Sequence, residues 1–211
     1  MTMKTLFIVG VGGGTGSGKT LFAEALRAAM PTVAEIVDHD SYYRDLSVLP
    51  IDSRAKVNFD HPQALETELL CRHLDDLRDG MSINKPTYCF ETHTRRNETV
   101  QIAANPIVIV EGIFVLAEAE LRKRIDLKLY IDTPSDIRLL RRVVRDVVER
   151  KRTIESIADQ YEKTVRIAHE RFVSPSISFA DIIVPGIEKF DQAVDFAARS
   201  LRHKISALGA V

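Results

Sequence analysis

The segment GGTGSGKT, residues 13–20, constrains this chain more than any other part of it. It satisfies the pattern GxxxxGK followed by Ser or Thr, comes directly after the apolar run at 6–11, and opens a stretch of helical period. Glycines at this spacing let consecutive backbone N–H groups turn inward on an anion, and a helix starting there adds the partial positive charge of its N-terminus. Gly13, Gly14, Thr15, Gly16, Ser17 and Gly18 are therefore candidate ligands of a polyphosphate. Lys19 would reach the β and γ phosphates, and the Thr20 hydroxyl would bind Mg²⁺. The pattern arises by accident in roughly one chain per hundred at average residue frequencies, and less often between a strand and a helix. That favours an anion cradle over a fortuitous Gly-rich turn.

The rest of the chain fits this setting. Short apolar or β-branched runs at 5–11, 35–38, 106–111, 127–132 and 180–185 end in polar residues, glycine or proline and predict buried parallel strands. Between most of them lie segments of helical period. In 20–30, for example, Leu21, Phe22, Ala25, Leu26, Ala29 and Met30 are expected to form one apolar stripe. Such βα alternation predicts an α/β fold with a doubly wound parallel sheet of about five strands. Residues 83–102 break the pattern, with two extended pieces around a polar 92–98 turn, and predict an inserted antiparallel β-hairpin. The length of 211 residues suits a single domain, 1–211.

Two acids stand at the carboxyl ends of predicted strands, where this architecture gathers its ligands: Asp40 in DHDSYYRD and Glu111 in IVIVEG. A carboxylate near a terminal phosphate can accept the proton of an attacking hydroxyl, and one in a metal's water shell can fix Mg²⁺. Asp40 is read as the base, with a further candidacy in the metal shell, and Glu111 as a metal-shell group. The competing reading is a pair of solvated strand ends or helix caps. Asp38 and Asp132 are weaker candidates of the same kind. In 138–152, Arg138, Arg141, Arg142 and Arg145 are expected on one helical side, with Leu139, Leu140, Val143, Val144 and Val147 elsewhere. Beside a triphosphate cradle this reads as a mobile arginine-bearing lid, 138–165, rather than as a solvated face.

Bulk properties narrow the partners. Twenty-nine Lys and Arg against thirty Asp and Glu leave a formal charge of −1, which offers no global field for nucleic acid. Two cysteines, Cys71 and Cys89, match neither a metal pair nor a secreted disulfide framework, so a cytoplasmic setting is expected. The run at 6–11 is too short to cross or engage a membrane.

Over about 180 residues the chain resembles the uridine kinase (uridine-cytidine kinase) family. The resemblance rests on GGTGSGKT at Gly13, DHDSYYRD at Asp38, VNFDHPQA at Val57, PTYCFETHTR at Pro86, VIVEGI at Val108, RRVVRDVVERKR at Arg141, QYEKTV at Gln160 and FADIIVP at Phe179. It implies transfer of the γ-phosphate of ATP or GTP, with Mg²⁺, to the 5′-hydroxyl of uridine or cytidine in pyrimidine salvage. Asp40 is then the general base, with Thr20 and Glu111 around the metal. Asp60 and Arg142 would hold the ribose hydroxyls, and Tyr43, Arg150 and Gln160 would line the nucleoside pocket. Tyr88 and Phe90 would pack on the pyrimidine and His93 would hydrogen-bond its edge. Arg145 and Arg152 would contact phosphate, and the assembly would be a homotetramer.

Two positions depart from the family pattern. Gly186, Ile187, Glu188, Lys189 and Phe190 replace the usual Arg and Gly-rich segment, and Lys151 replaces a glycine in the lid. Alternatives are another P-loop small-molecule kinase, acting on phosphoribulose or pantothenate, and a nucleotide-dependent switch. The switch would want an NKxD guanine-reading motif, but Asn84, Lys85 and Pro86 are followed by Thr87.

Overall fold

A computed structural model of the chain describes residues 6–54, 56–187 and 189–207; the first residue of the 5–11 run and Glu188, named above, lie outside them. The described residues include the strands β1 Phe7–Gly13, β2 Ala34–Asp38, β3 Ile83–Cys89, β4 Thr94–Ile102, β5 Ile107–Glu111, β6 Leu127–Asp132 and β7 Ile182–Pro185. Eight α-helical segments alternate with them: α1 Lys19–Ala29, α2 Ile51–Arg54, α3 Thr67–Arg78, α4 Ala119–Arg122, α5 Ser135–Val148, α6 Ile154–Gln160, α7 Arg166–Ala168 and α8 Asp191–Ala207. Two π-helical turns, Tyr161–Val165 and His169–Val173, flank α7.

Five strands form one parallel sheet in the order β2-β5-β1-β6-β7. Chain reversal on either side of β1 places its carboxyl end at the switch point, where such sheets open a crevice. Alternation along the strands builds a core on each face. Ile8, Val108 and Val110 pack with Leu70 and Leu74 of α3, whereas Val9, Val11, Ile107 and Ile109 pack with Phe22 and Leu26 of α1 and Leu201 of α8. Each of these fully buried side chains contributes ~2 kcal/mol of transfer free energy.

Two expectations are corrected here. Leu21 is 65% exposed and Ala23 faces the core instead, because the buried stripe of α1 runs through Lys19, Phe22, Ala23 and Leu26 at helical spacing. The hairpin turn is shorter than 92–98: β4 begins at Thr94, with Cys89 opposite Thr94 and Tyr88 opposite Arg95. Polar residues enter the strand because most of β4 is solvent-facing, so polarity there does not signal a turn. β3 and β4 pair only with each other.

Candidate active site

The cradle forms at the end of the central strand. Gly13 is the last residue of β1, opposite Ile131, and 14–18 wrap into the first turn of α1, with Ser17 N donating to the Gly14 carbonyl at 3.0 Å. Two glycines are required by geometry. Gly16 (φ +74°) lies so close to the backbone of Arg138 that a Cβ would run into that carbonyl, and Gly18 (φ +96°) faces the Phe190 ring. Thr133 Oγ1 donates to the Ser17 carbonyl at 2.9 Å and fixes the loop from the end of β6. Lys19 is 8% exposed, and its ammonium has no hydrogen bond or ion pair among the described residues.

Beside the cradle, Thr20 Oγ1 donates to Glu111 Oε1 at 3.1 Å, while Glu111 Oε2 and Asp40 Oδ1 are buried without a hydrogen-bond partner. Unpartnered carboxylate oxygens out of solvent are costly unless a cation or donor meets them. Burial pushes the Glu111 carboxyl up to about 7, opposed by Lys19 and reinforced by Asp40. Asp40 is also raised by burial, with Lys19, Arg150 and Arg145 drawing it down and Asp38 adding to the rise. Two hard carboxylate oxygens and a hydroxyl suit Mg²⁺, which keeps several water or phosphate oxygens of its own. The residues present therefore fit that ion. Among the described residues no group of three or more His, Cys, Asp or Glu side chains forms a metal cluster.

Asp40 sits in the 3-10 turn His39–Tyr42, which β2 delivers to the sheet's carboxyl edge. Asp38 caps that turn through Ser41 N at 3.0 Å and pairs with Lys85 from the hairpin, which also donates to Ser41 Oγ at 3.1 Å. Asp38 is thereby committed to holding the turn. Asp132, at the end of β6, is exposed.

The residues assigned to an acceptor come together on the other side of Asp40. Tyr43 lies 5.3 Å from Tyr88 and 6.3 Å from Phe90 between ring centroids, and Tyr88 lies 5.3 Å from Phe90. The Arg150 guanidinium stands 5.0 Å from the Phe90 ring. His93, at φ 55°, stacks on Phe59 at 4.5 Å, and burial together with the nearby Arg152 and Arg54 holds it below the ordinary histidine range. Asp60 Oδ2 accepts from Gln160 Nε2 (3.0 Å) and Thr164 Oγ1 (2.7 Å). Gln160 Oε1 in turn accepts from Arg142 Nη2 (3.0 Å) and Arg152 Nη1 (2.6 Å), and Arg142 Nη1 donates to Thr15 Oγ1 (3.1 Å). One hydrogen-bonded chain thus links the cradle to Asp60, the residue that follows Phe59 in the chain.

Sequence reasoning missed Phe59, Thr164 and Asp146. Phe59 adjoins Asp60 in the quoted VNFDHPQA block, and Thr164 lies four residues after Gln160 in the quoted QYEKTV block, so both blocks offered a signal.

The arginine helix also departs from expectation. Arg138 and Arg142, with Asp146, form the buried side of α5, whereas Leu140 and Val144 are 65% and 56% exposed. The desolvated Arg138 guanidinium is tolerated there because it is answered: Nε donates to the Thr133 carbonyl and Nη2 meets His169 Nε2, both at 3.0 Å. Arg141 turns toward the altered segment after β7, donating to the carbonyls of Gly186 (2.8 Å) and Ile187 (3.4 Å). Phe190 packs edge-on against Phe22 at 5.4 Å. Lys151 has φ 54°, the left-handed conformation that the glycine it replaces would adopt freely.

A family model described as "Phosphoribulokinase / Uridine kinase family" matches residues 8–193. A uridine kinase of Clostridium novyi is 44% identical over 97% of this chain and 99% of its own length. One of Chloroflexus aurantiacus is 45% identical over 95% and 96%. Among solved structures, phosphoribulokinase from Rhodobacter spheroides superposes with a TM-score of 0.66 at 15% identity, covering 86% of this chain and 70% of that one, which speaks to the fold alone. With cradle, carboxylates and aromatic cluster all inside the matched span, the chain belongs to the phosphoribulokinase / uridine kinase family.

Proposed function

We propose that this chain is a uridine/cytidine kinase, transferring the γ-phosphoryl group of ATP or GTP to the 5′-hydroxyl of the nucleoside to give UMP or CMP in pyrimidine salvage. The observation that carries this reading is identity of 44–45% to proteins named uridine kinase along nearly the whole chain, acceptor hairpin included. The chemistry of the acceptor cluster supports it. Tyr43, Phe59, Tyr88 and Phe90 offer π faces suited to a base, whereas a phosphorylated sugar would call for cations in their place.

In this mechanism the 14–18 amides and Lys19 hold the triphosphate, and Arg145 and Arg152 neutralise the phosphoryl group in flight. Asp60, through its link to Gln160, together with Arg142, orients the ribose. The Asp40 carboxylate, its basicity raised by burial, takes the proton from the 5′-hydroxyl as that oxygen attacks phosphorus. Thr20, Glu111 and Asp40 would hold Mg²⁺, which supplies charge neutralisation on the phosphates. The lid is assigned to 138–165 within a single kinase domain.

A homotetramer in the cytoplasm completes the proposal; no helix among the described residues is long and apolar enough to cross a membrane. The test is to incubate the purified protein with Mg²⁺, ATP or GTP, and a panel of nucleosides and phosphorylated sugars, and to identify the product by mass. A product other than a pyrimidine nucleoside monophosphate refutes it.

A further inference from the structure

Among the described residues, the most deeply buried charge outside the cradle is Asp146, whose side chain has no solvent exposure. Four guanidinium groups surround it. Arg145 donates from Nε at 2.9 Å and Nη2 lies 2.8 Å away, while Arg142 Nε (3.6 Å), Arg150 Nη1 (3.5 Å) and Arg152 Nη1 (3.6 Å) close the ring. The backbone joins in, because Arg152 N donates to the Asp146 carbonyl at 3.1 Å and folds the chain back after α5. Such a residue does not bind anions itself; a carboxylate repels them.

Its effect is indirect. Four like charges brought together out of water repel one another and resist desolvation. Arg142 and Arg150 carry that burden: burial is the first cause drawing both below the ordinary arginine range, and neighbouring arginines add to it. One carboxylate among four cations offsets part of the repulsion, yet leaves surplus positive charge for a polyanion. Arg145 is hydrogen-bonded to it, and its charge draws the other three forks to within 3.5–3.6 Å, so the outward N–H groups are set before any ligand arrives.

We infer that Asp146 is a positioning residue, which presets the guanidinium groups of Arg142, Arg145, Arg150 and Arg152 for the transferring phosphoryl group. The inference rests on the kinase reading above. It makes a prediction that charge alone would not. Asp146→Asn renders the cluster more positive, so ground-state attraction for a polyphosphate is kept or strengthened while the arrangement needed in the transition state is lost.

The experiment compares wild type, Asp146→Asn and Asp146→Glu. Turnover is measured with ATP and uridine, tripolyphosphate binding by calorimetry at two salt concentrations, and folding by thermal melts. Asp146→Asn is expected to lower kcat by about 100-fold or more. Tripolyphosphate affinity should stay within about 3-fold of wild type or tighten, with an equal or steeper salt dependence. Asp146→Glu, which keeps the charge on a longer arm, should recover activity to within about 10-fold of wild type. A folded Asp146→Asn protein with kcat within about 3-fold of wild type overturns the inference, as does tripolyphosphate binding lost in step with kcat. Should Asp146→Asn fail to fold, Asp146→Ser takes its place, and a folded protein with kcat within about 3-fold of wild type overturns the proposal. Wild type phosphorylating no pyrimidine nucleoside refutes the kinase reading instead, a result independent of the tripolyphosphate comparison.

Discussion

His39 lies directly beside the proposed base, yet the structure makes it a stability element, and its protonation can be isolated. Its side chain is fully buried, Nε2 sits 3.2 Å from Thr67 Oγ1, and Nδ1 is buried with no partner. Gly112 crowds it, since a Cβ there would come within 2.6 Å of the His39 Cβ. Burial pushes the imidazole from 6.5 down to about 4, with Asp38 pulling weakly upward. The folded state thus keeps His39 neutral where the unfolded chain binds a proton, and stability rises with pH between those values. For a single site with these values, the contribution lost from pH 7 to pH 5 is about 2 kcal/mol, approaching 3 kcal/mol at pH 4.

His39→Gln removes the titration while retaining a donor toward Thr67. Urea unfolding of both proteins, followed by circular dichroism from pH 7 to pH 4, isolates the effect, because carboxylates common to both cancel in the difference. Wild type should lose stability relative to His39→Gln by the amounts above. A difference constant to within about 0.5 kcal/mol would show that His39 titrates alike in both states and refute the reasoning.

Other outcomes follow from the cleft. Asp40→Asn should leave triphosphate binding largely intact and lower turnover by roughly 100-fold or more, since it removes the base and spares the cradle; steady-state kinetics with calorimetry read both. His93→Ala should raise the KM for the pyrimidine nucleoside by roughly 10-fold and leave that for the donor unchanged. An effect on the donor alone would move His93 out of the acceptor cluster. Gly16→Ala should cost ~2 kcal/mol or more in urea unfolding, through a positive φ and collision with the Arg138 carbonyl, and weaken triphosphate binding as well.

Much of this was legible in the chain. The five parallel strands fall within a few residues of where apolar runs placed them, most sharply for β1 and β5, which are buried on both faces and so read as continuous apolar stretches. The cradle was legible for the same kind of reason: close approach of backbone to backbone at Gly16 admits only glycine. What escaped was whatever depends on tertiary neighbours. An apolar stripe on α5 predicts an inward face, yet the side that turns inward carries Arg138, Arg142 and Asp146, since those charges find carbonyls, a neutral histidine and each other there. Asp146 reads in sequence as one acid in a basic helix; only burial and four converging guanidiniums distinguish it. Phe59 meets Tyr43 and His93, and Thr164 meets Asp60, through tertiary placement that the quoted blocks flag by neighbourhood but that no local spacing specifies.

The hairpin β3–β4 shares no strand with the five-stranded sheet. It is anchored instead by side chains, with Lys85 on Asp38 and Arg95 on the carbonyls of Tyr42 and Tyr43. An arm attached in this way is interchangeable in principle: its sequence and length can drift without altering one ladder bond beneath the cradle. Under the acceptor role proposed for the hairpin, a scaffold so divided can retain its donor machinery while trying out new alcohols, so diversification of acceptors within such a lineage need not begin by unsettling the framework.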